Sequence, residues 1–391
     1  MMKKRICIIG AGPAGLINLA TLTQDLNMSE WEVVLYERSS RFGGAWAWQD
    51  SEFMSTSTKF ATQFASFVKF STSDGFFRGQ EWGEYLTDFV KEKGIADFIH
   101  YNSEVTQCSR TENGWAVAVN NETPQDFDYL ILGSGLANRP KEQLDYMANL
   151  EELESKTEKL EGKTILIVGG GESAIDMAAR YSKNNKIIFS LKSGIRLSPR
   201  VHPIRGVPSD YLRNEILLRI KESWRNFIGE KFVRGVKTFY TRIQKWTISD
   251  DKISLTTDAK KRRELELELF NNAKDELYNV FHTKNDDFLK YPQNVEVWGP
   301  VIDYKGSSLT LKRISSDDTM EIQPDYFVNG IGYVSTMDYL GDQIKVADFV
   351  YAVAHKSDPT VFLSGFARPV IGNIPTICEL QARWICDIIM G

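Results

Sequence analysis

Two short stretches of this chain, Ile8 to Leu16 (IIGAGPAGL) and Ile167 to Asp176 (IVGGGESAID), each carry an apolar run through a tight glycine turn into a helical pattern. A continuous apolar run reads as a parallel strand buried on both faces, and the turn brings a helix N-terminus to the strand's end. A chain that does this twice is built on parallel sheets. The fold class predicted is α/β, with two dinucleotide-binding, Rossmann-like domains. Length agrees, because 391 residues exceed what one hydrophobic core usually supports.

In the first turn, Gly10, Gly12 and Gly15 follow the apolar run Ile6 to Ile9 with the G-x-G-x-x-G spacing, and Pro13 and Ala14 stand between them. Gly10 permits the sharp turn, Gly12 lets backbone approach a pyrophosphate, and Gly15 lets helix and strand pack closely. The next strand, WEVVLYER, reaches Glu37, 22 residues after Gly15. A carboxylate there accepts from a ribose 2′-OH and repels a 2′-phosphate, which leaves FAD or NAD as the nucleotide. The run YLILGSG, Tyr129 to Gly135, brings the chain back to this site, its glycine allowing close backbone approach.

The second turn repeats Gly169 and Gly171, but Ala174 stands at the third position, after Glu172 and Ser173. The following strand, KIIFSL, leads into Lys192 and Ser193 with no acid, and Arg196 and Arg200 come soon after. Positive charge without a carboxylate suits a 2′-phosphate. The two turns are thus expected to hold different cofactors, FAD in the first and NADPH in the second. That pairing implies hydride transfer from nicotinamide to flavin.

At this point the chain resembles the flavin-containing monooxygenase family, part of the class B flavoprotein monooxygenases. The resemblance spans nearly the whole chain: GAGPAG, ERSSRFGGAW (Glu37 to Trp46), STSTKFATQFASF, GGGESA, HTKNDDF, DYFVNGIGY and GFARPVIGNIPTICELQARW, in that order. It implies that the first turn, Glu37, Arg38, Gly44, Ala45 and Trp46 bind FAD. Gly171 to Ala174 would contact NADPH, with Lys192 and Arg196 near its 2′-phosphate. It also implies a flavin C4a-hydroperoxide made from O2, which oxygenates a soft nitrogen or sulfur or inserts oxygen beside a ketone. Thr56 and Lys59, in STSTKF, match the family's active-site segment, but Thr56 stands where the family has asparagine. A threonine donates one hydrogen bond where an amide donates two. The family's F-x-G-x-x-x-H segment has no counterpart, since no histidine lies between Leu136 and Lys163.

The expected function is an NADPH-dependent, FAD-containing monooxygenase of a small nucleophilic substrate, by N- or S-oxygenation. The alternatives are a flavin oxidoreductase or oxidase that transfers no oxygen, and a non-catalytic redox-sensing binding protein. A disulfide reductase would need paired redox cysteines, and neither C-x-x-C nor C-x4-C occurs among Cys7, Cys108, Cys378 and Cys386. Four scattered histidines give no metal site, and no G-x-S-x-G suggests a serine nucleophile.

A net charge of −5 gives no reason to expect nucleic-acid binding, and no apolar stretch reaches membrane-spanning length. The opening MMKKRICIIG resembles a signal peptide, but glycines interrupt its apolar run, so a buried first strand in a cytoplasmic chain is expected. A homodimer is compatible with the sequence. The FAD-binding domain is predicted at 1–140 and 329–391, and the NADPH-binding domain at 141–328, with a helical insertion at about 207–290. Within the insertion, Leu212, Ile216, Leu217, Ile220, Trp224, Phe227 and Ile228 form one helical stripe. Phe270, Ala273, Leu277, Val280 and Phe281 form another. The basic run Lys260 to Arg263 reads as a solvated turn or helix start. Trp46, Trp48, Phe60 and Phe64 are candidates for keeping the flavin site dry, or else for core.

Overall fold

The computed structural model describes residues 3–153, 159–195, 197–198, 200–201, 206–212, 220–221, 223–224, 255–271, 282–283, 286–367 and 373–391. The chain divides into two compact units, Met1–Pro140 with Tyr333–Gly391, and Lys141–Gly332.

The first unit begins with strand β1 (Lys4–Ile9), helix α1 (Pro13–Asp25) and strand β2 (Trp31–Tyr36). Strand β1 lies inside a seven-stranded sheet, parallel to β2 on one side and to Tyr129–Leu132 on the other. Ile99–His100 extends the sheet beyond β2, and Val361–Leu363 extends it beyond Tyr129–Leu132, both in parallel. Two short antiparallel strands, Ala354–His355 and Phe349–Val350, complete it. Alternation along β1 sorts its side chains. Ile6 and Ile8 pack with α1, helix Glu81–Lys93 and helix Ile374–Met390. Cys7 and Ile9 pack on the opposite face, under a three-stranded antiparallel meander of Val105–Arg110, Trp115–Val119 and Gln125–Phe127. Burying each such aliphatic residue contributes about 1.5–3 kcal/mol.

Helix Glu81–Lys93 is charged to suit its dipole, with Glu81 and Glu84 in its first turn, Lys91 and Lys93 in its last, and Gly94 closing it at φ 63°. Its buried face carries the stacked pair Trp82 and Tyr85, 5.0 Å apart. The Tyr85 hydroxyl accepts from the Phe64 N–H at 2.8 Å and donates to the Phe67 carbonyl at 2.9 Å, and burial pushes its pKa up. Phe64 is wholly buried in this cluster, so of the four aromatic candidates for the flavin surroundings it belongs to the core.

The second unit follows the same plan. Strand β3 (Thr164–Val168) leads into helix α2 (Glu172–Tyr181) and strand β4 (Lys186–Ser190). Strand β3 lies between β4 and Tyr326–Asn329; Val295–Trp298 and Glu151–Glu152 form the outer strands, and all the pairings are parallel. Ile165 and Ile167 face α2, while Leu166 and Val168 face the other way, toward a second antiparallel meander of Val301–Lys305, Ser308–Lys312 and Thr319–Ile322.

Helix Leu255–Asn271 packs Leu265 and Leu269 into this unit's core, and Arg313 holds it by donating to Glu268 at 2.9 Å. The basic run Lys260 to Arg263 lies within this helix and not at a turn or helix start. Pairs one turn apart account for it, with Lys260 toward Glu264 and Arg262 donating to Glu266 at 3.1 Å. The two apolar stripes predicted for the insertion fall largely outside the described residues, which omit 213–219, 225–250 and 272–281.

Candidate functional site

In the first unit, Gly10 turns at φ 95°, and a Cβ there would stand 2.9 Å from the Gly133 carbonyl oxygen. A Cβ on Gly15 would lie 1.8 Å from the Gly10 carbonyl oxygen. The fold itself therefore requires those two glycines. Gly12 is different. Its backbone is extended, at φ −72° and ψ −179°, which any residue adopts. A Cβ on it would meet no protein atom closer than 3.8 Å. Among the described residues nothing explains this glycine. Helix α1 begins here with Pro13 in its first turn and no side chain capping it, so the N–H groups of its first turn are left for an anion.

The surrounding residues gather at this turn. Glu37 follows β2, and its Oε2 accepts from the Ala11 N–H at 2.7 Å. Its Oε1 accepts from the Ser39 N–H at 2.9 Å and the Ser39 hydroxyl at 2.6 Å. The Gly43 N–H donates to the Ala11 carbonyl at 2.8 Å, and Gly44, at φ 69°, comes against Gly12. Ala45 and Trp46 follow in a single 3-10 turn, with Trp46 half exposed. Arg38 donates to the Asn138 carbonyl at 3.3 Å.

The second unit repeats this logic with one exchange. Gly169, at φ 101°, would place a Cβ 2.2 Å from the Gly330 carbonyl oxygen, so it is required. Gly171 is extended, at φ −70° and ψ 177°, and open: its nearest neighbour would be 3.6 Å away. Helix α2 also starts without a side-chain cap, and Gly171, Glu172 and Ser173 are exposed. Ala174 is buried, and its Cβ is accommodated by Gly330, where a Cβ would come within 2.6 Å of it.

Strand register locates the counterpart of Glu37. Ile9 pairs with Tyr36, and Val168 pairs with Ser190, so the residue equivalent to Glu37 is Leu191, which is buried. Lys192 comes next and is exposed. Arg196 lies outside the described residues. Arg200 is buried, with its guanidinium 3.7 Å from Asp176 of α2.

Thr56 is half-buried in strand Met54–Thr58, which pairs with Phe76–Arg78. Lys59 donates to Glu81 at 2.9 Å and packs over the rings of Phe70 and Phe77. Partial burial would raise the Glu81 pKa, but Lys59 and the Arg78 N–H more than offset this and hold it below its ordinary 4.5. The segment after Lys59 is fastened to helix Ile374–Met390. Glu379 accepts from the Ala65 and Ser66 N–H groups at 2.6 and 2.8 Å, and Thr376 donates to the Ala61 carbonyl at 3.0 Å. Sequence reasoning included Glu379 and Thr376 only within the family-like stretch GFARPVIGNIPTICELQARW, without a role for either. It also missed Gly330, although the glycines of DYFVNGIGY carry the same signal as those of YLILGSG.

All four cysteines are free and buried. Burial pushes Cys108 and Cys378 up to about 12 and Cys386 up to about 11, and it raises Cys7 as well. None presents the thiolate that disulfide exchange needs near neutral pH.

The sequence profile of the pyridine nucleotide-disulphide oxidoreductase family matches residues 7–268. The chain belongs to this family. A 4-hydroxybenzoate brominase (decarboxylating) of Marinomonas mediterranea is 25% identical over all of this chain and 75% of its own length. Flavin-containing monooxygenase 5 of Rattus norvegicus is 24% identical over all of this chain and 74% of its own. Among solved structures, OTEMO in complex with FAD and NADP matches all of this chain and 86% of its own, with a TM-score of 0.71 at 14% identity. The flavin-containing monooxygenase resemblance carried by the motifs is thus upheld. The α/β fold with two dinucleotide-binding domains is that of the solved neighbours.

Proposed function

We propose that this chain is an FAD-containing, NADPH-dependent monooxygenase that transfers one oxygen atom of O2 to the nitrogen or sulfur of a small nucleophilic substrate. It is a flavin-dependent oxidoreductase, with FAD and NADP as its cofactors. The observation that carries the reading is the pair of open glycines, Gly12 and Gly171, in turns whose second strands end differently. One is followed by the carboxylate of Glu37, the other by Leu191 and Lys192.

Bound FAD supplies a centre that accepts a hydride from NADPH and passes electrons to O2. The chain's own residues hold and orient. The N–H groups of Ala14 and Gly15 would hold the FAD pyrophosphate, and Glu37, fixed by Ala11 and Ser39, would accept from a ribose hydroxyl. Gly171, Glu172, Ser173 and Ala174 form the NADPH turn, while Lys192 and Arg196 pair with the 2′-phosphate. Thr56 would donate a hydrogen bond toward the bound flavin, and Lys59 anchors its segment through Glu81. The first unit, residues 1–140 and 333–391, would bind FAD, and the second, residues 141–332, NADPH. We place the enzyme in the cytoplasm, where unpaired thiols persist. Among the described residues no helix is long and apolar enough to cross a membrane.

The names of the two relatives describe different reactions, so the substrate class is drawn from neither. Thr56 favours a second reading, an oxidase that transfers no oxygen, because it offers one donor where the resemblance expects two. Incubation of the holoenzyme with NADPH, ¹⁸O2 and a panel of tertiary amines, sulfides and ketones separates them. One labelled oxygen in an N-oxide or S-oxide is expected, with the second oxygen leaving as water. Release of H2O2 equal to the NADPH consumed, with no labelled product from any compound, sinks the proposal in favour of the oxidase. Colourless protein that FAD cannot reactivate would point to a non-catalytic binding protein.

A further inference from the structure

Strand Met54–Thr58 carries Thr56, and its pairing with Phe76–Arg78 does not fix that residue. Met54 pairs with Arg78 and Thr58 with Phe76, so Ser55, Thr56 and Ser57 together face Phe77. A bulge of this kind takes residues out of the ladder and re-aims their side chains. The Ser55 hydroxyl closes it, accepting from the Phe77 N–H at 3.0 Å and donating to the Ser57 carbonyl at 2.7 Å. Where Thr56 stands therefore depends on what holds the ends of the strand.

The end beyond Thr56 is held by helix Ile374–Met390. Asn373, Thr376 and Glu379 recur at three-residue steps and so share one face. The Asn373 amide makes no cap to its own helix and donates to the Thr62 hydroxyl at 2.9 Å. Thr376 donates to the Ala61 carbonyl, and Glu379 accepts from the Ala65 and Ser66 N–H groups. Ala61 and Thr62 carry this hold back to the strand. The Ala61 N–H donates to the Thr58 hydroxyl at 3.3 Å, and the Thr62 hydroxyl donates to the Thr58 carbonyl at 2.8 Å.

Glu379 is the member of this face that burial disfavours most. It is 3% exposed, with Arg383 3.7 Å away on its outer side. Neutral groups already hold the same loop: Gln63 accepts from the Lys69 and Phe70 N–H groups, and Tyr85 bonds Phe64 and Phe67. A buried charge is unfavourable where neutral groups suffice, but a carboxylate taking two successive N–H groups fixes direction as well as distance. We infer that Glu379 is a positioning residue, which acts through the segment from Ala61 to Ser66 to set the place of Thr56. The inference rests on the role proposed above for Thr56 toward the flavin.

Holoenzymes carrying Glu379→Gln, Thr56→Ala and both test it, read by the visible circular dichroism of bound FAD and by the product formed per NADPH. Glu379→Gln keeps the side chain's size but sets a donor against an N–H. It should retain FAD, shift the flavin dichroism as Thr56→Ala does, and lower product per NADPH at least about tenfold. In the Thr56→Ala background it should add nothing, because both changes act at one place. Flavin dichroism unchanged by Glu379→Gln, unchanged by Thr56→Ala, or shifted additively in the double variant overturns the inference. If Glu379→Gln does not fold, Thr376→Val is read in its place against the same outcomes. Wild type that yields only H2O2 sinks the monooxygenase reading and leaves the dichroism comparison to decide this one. Oxygenated product from wild type together with additive shifts sinks this inference alone.

Discussion

The two units spend their glycines differently on one plan. Each has a central strand, a glycine turn, an uncapped helix, a neighbouring parallel strand, an antiparallel meander and a returning strand that ends on glycine. In the first unit the helix comes so near the turn that Gly15 can carry no side chain. In the second, Ala174 takes that place, and Gly330 on the returning strand makes the room. Close packing at this junction is thus a property of the pair of elements, and either may supply the missing Cβ. Gly12 and Gly171 belong to neither arrangement, since the protein leaves both open. The two kinds of glycine, one required by the fold and one left open by it, are distinguishable by what a Cβ would touch.

The largest effects should come from that junction. Gly15→Ala is expected to cost above about 3 kcal/mol and to yield protein that neither folds nor retains flavin, because the obstacle is backbone. Ala174→Gly should cost only about 1 kcal/mol by thermal melting. If the two substitutions proved equally mild, the comparison would fail. Gly12→Ala and Gly171→Ala sharpen it next. Each should leave the melting of the ligand-free protein within about 1 kcal/mol of wild type. The former should lose FAD, and the latter should weaken NADPH binding at least about tenfold by titration, or ~1.4 kcal/mol.

A smaller and more selective change is expected at Lys192. Replacement by alanine should raise the NADPH dissociation constant about tenfold while leaving that of NADH nearly unchanged, since the lost partner is the 2′-phosphate. The smallest concerns Lys59 and Glu81. Glu81 titrates below its ordinary 4.5 in the folded chain, so its contribution is complete above 4.5 and is lost as pH falls through the folded-state value. Its side chain is 41% exposed, so that contribution is at most about 1 kcal/mol. Glu81→Gln should remove this part of the acid-dependent loss of stability, read by denaturant melts between pH 3 and 6 (roughly the range over which carboxylates titrate).

The α/β class and the strand–turn–helix units were legible because apolar runs and glycine spacing are local signals. Leu191 was not legible as the counterpart of Glu37, because that equivalence needs strand register, and the eye goes instead to the charged Lys192 beside it. Gly330 was hidden for a related reason: its partner Ala174 lies far away in the chain. The basic run at Lys260 was misread because its charges, taken alone, suggest a solvated turn. The glutamates one turn on, Glu264 and Glu266, were the helical signal, and Leu265 and Leu269 give that helix its buried edge.

Arg139–Pro140 pairs antiparallel with Tyr333–Val334, so the first unit lets the chain out and takes it back at adjacent points. A host whose two cut ends already touch is almost indifferent to how much polypeptide is threaded between them, since closing a longer loop adds only a slowly growing entropic term. The second unit can therefore be treated as a cassette. It could lengthen, acquire new helices or be exchanged for another in the course of descent while the first unit keeps its sheet order, its glycines and its closing helix intact.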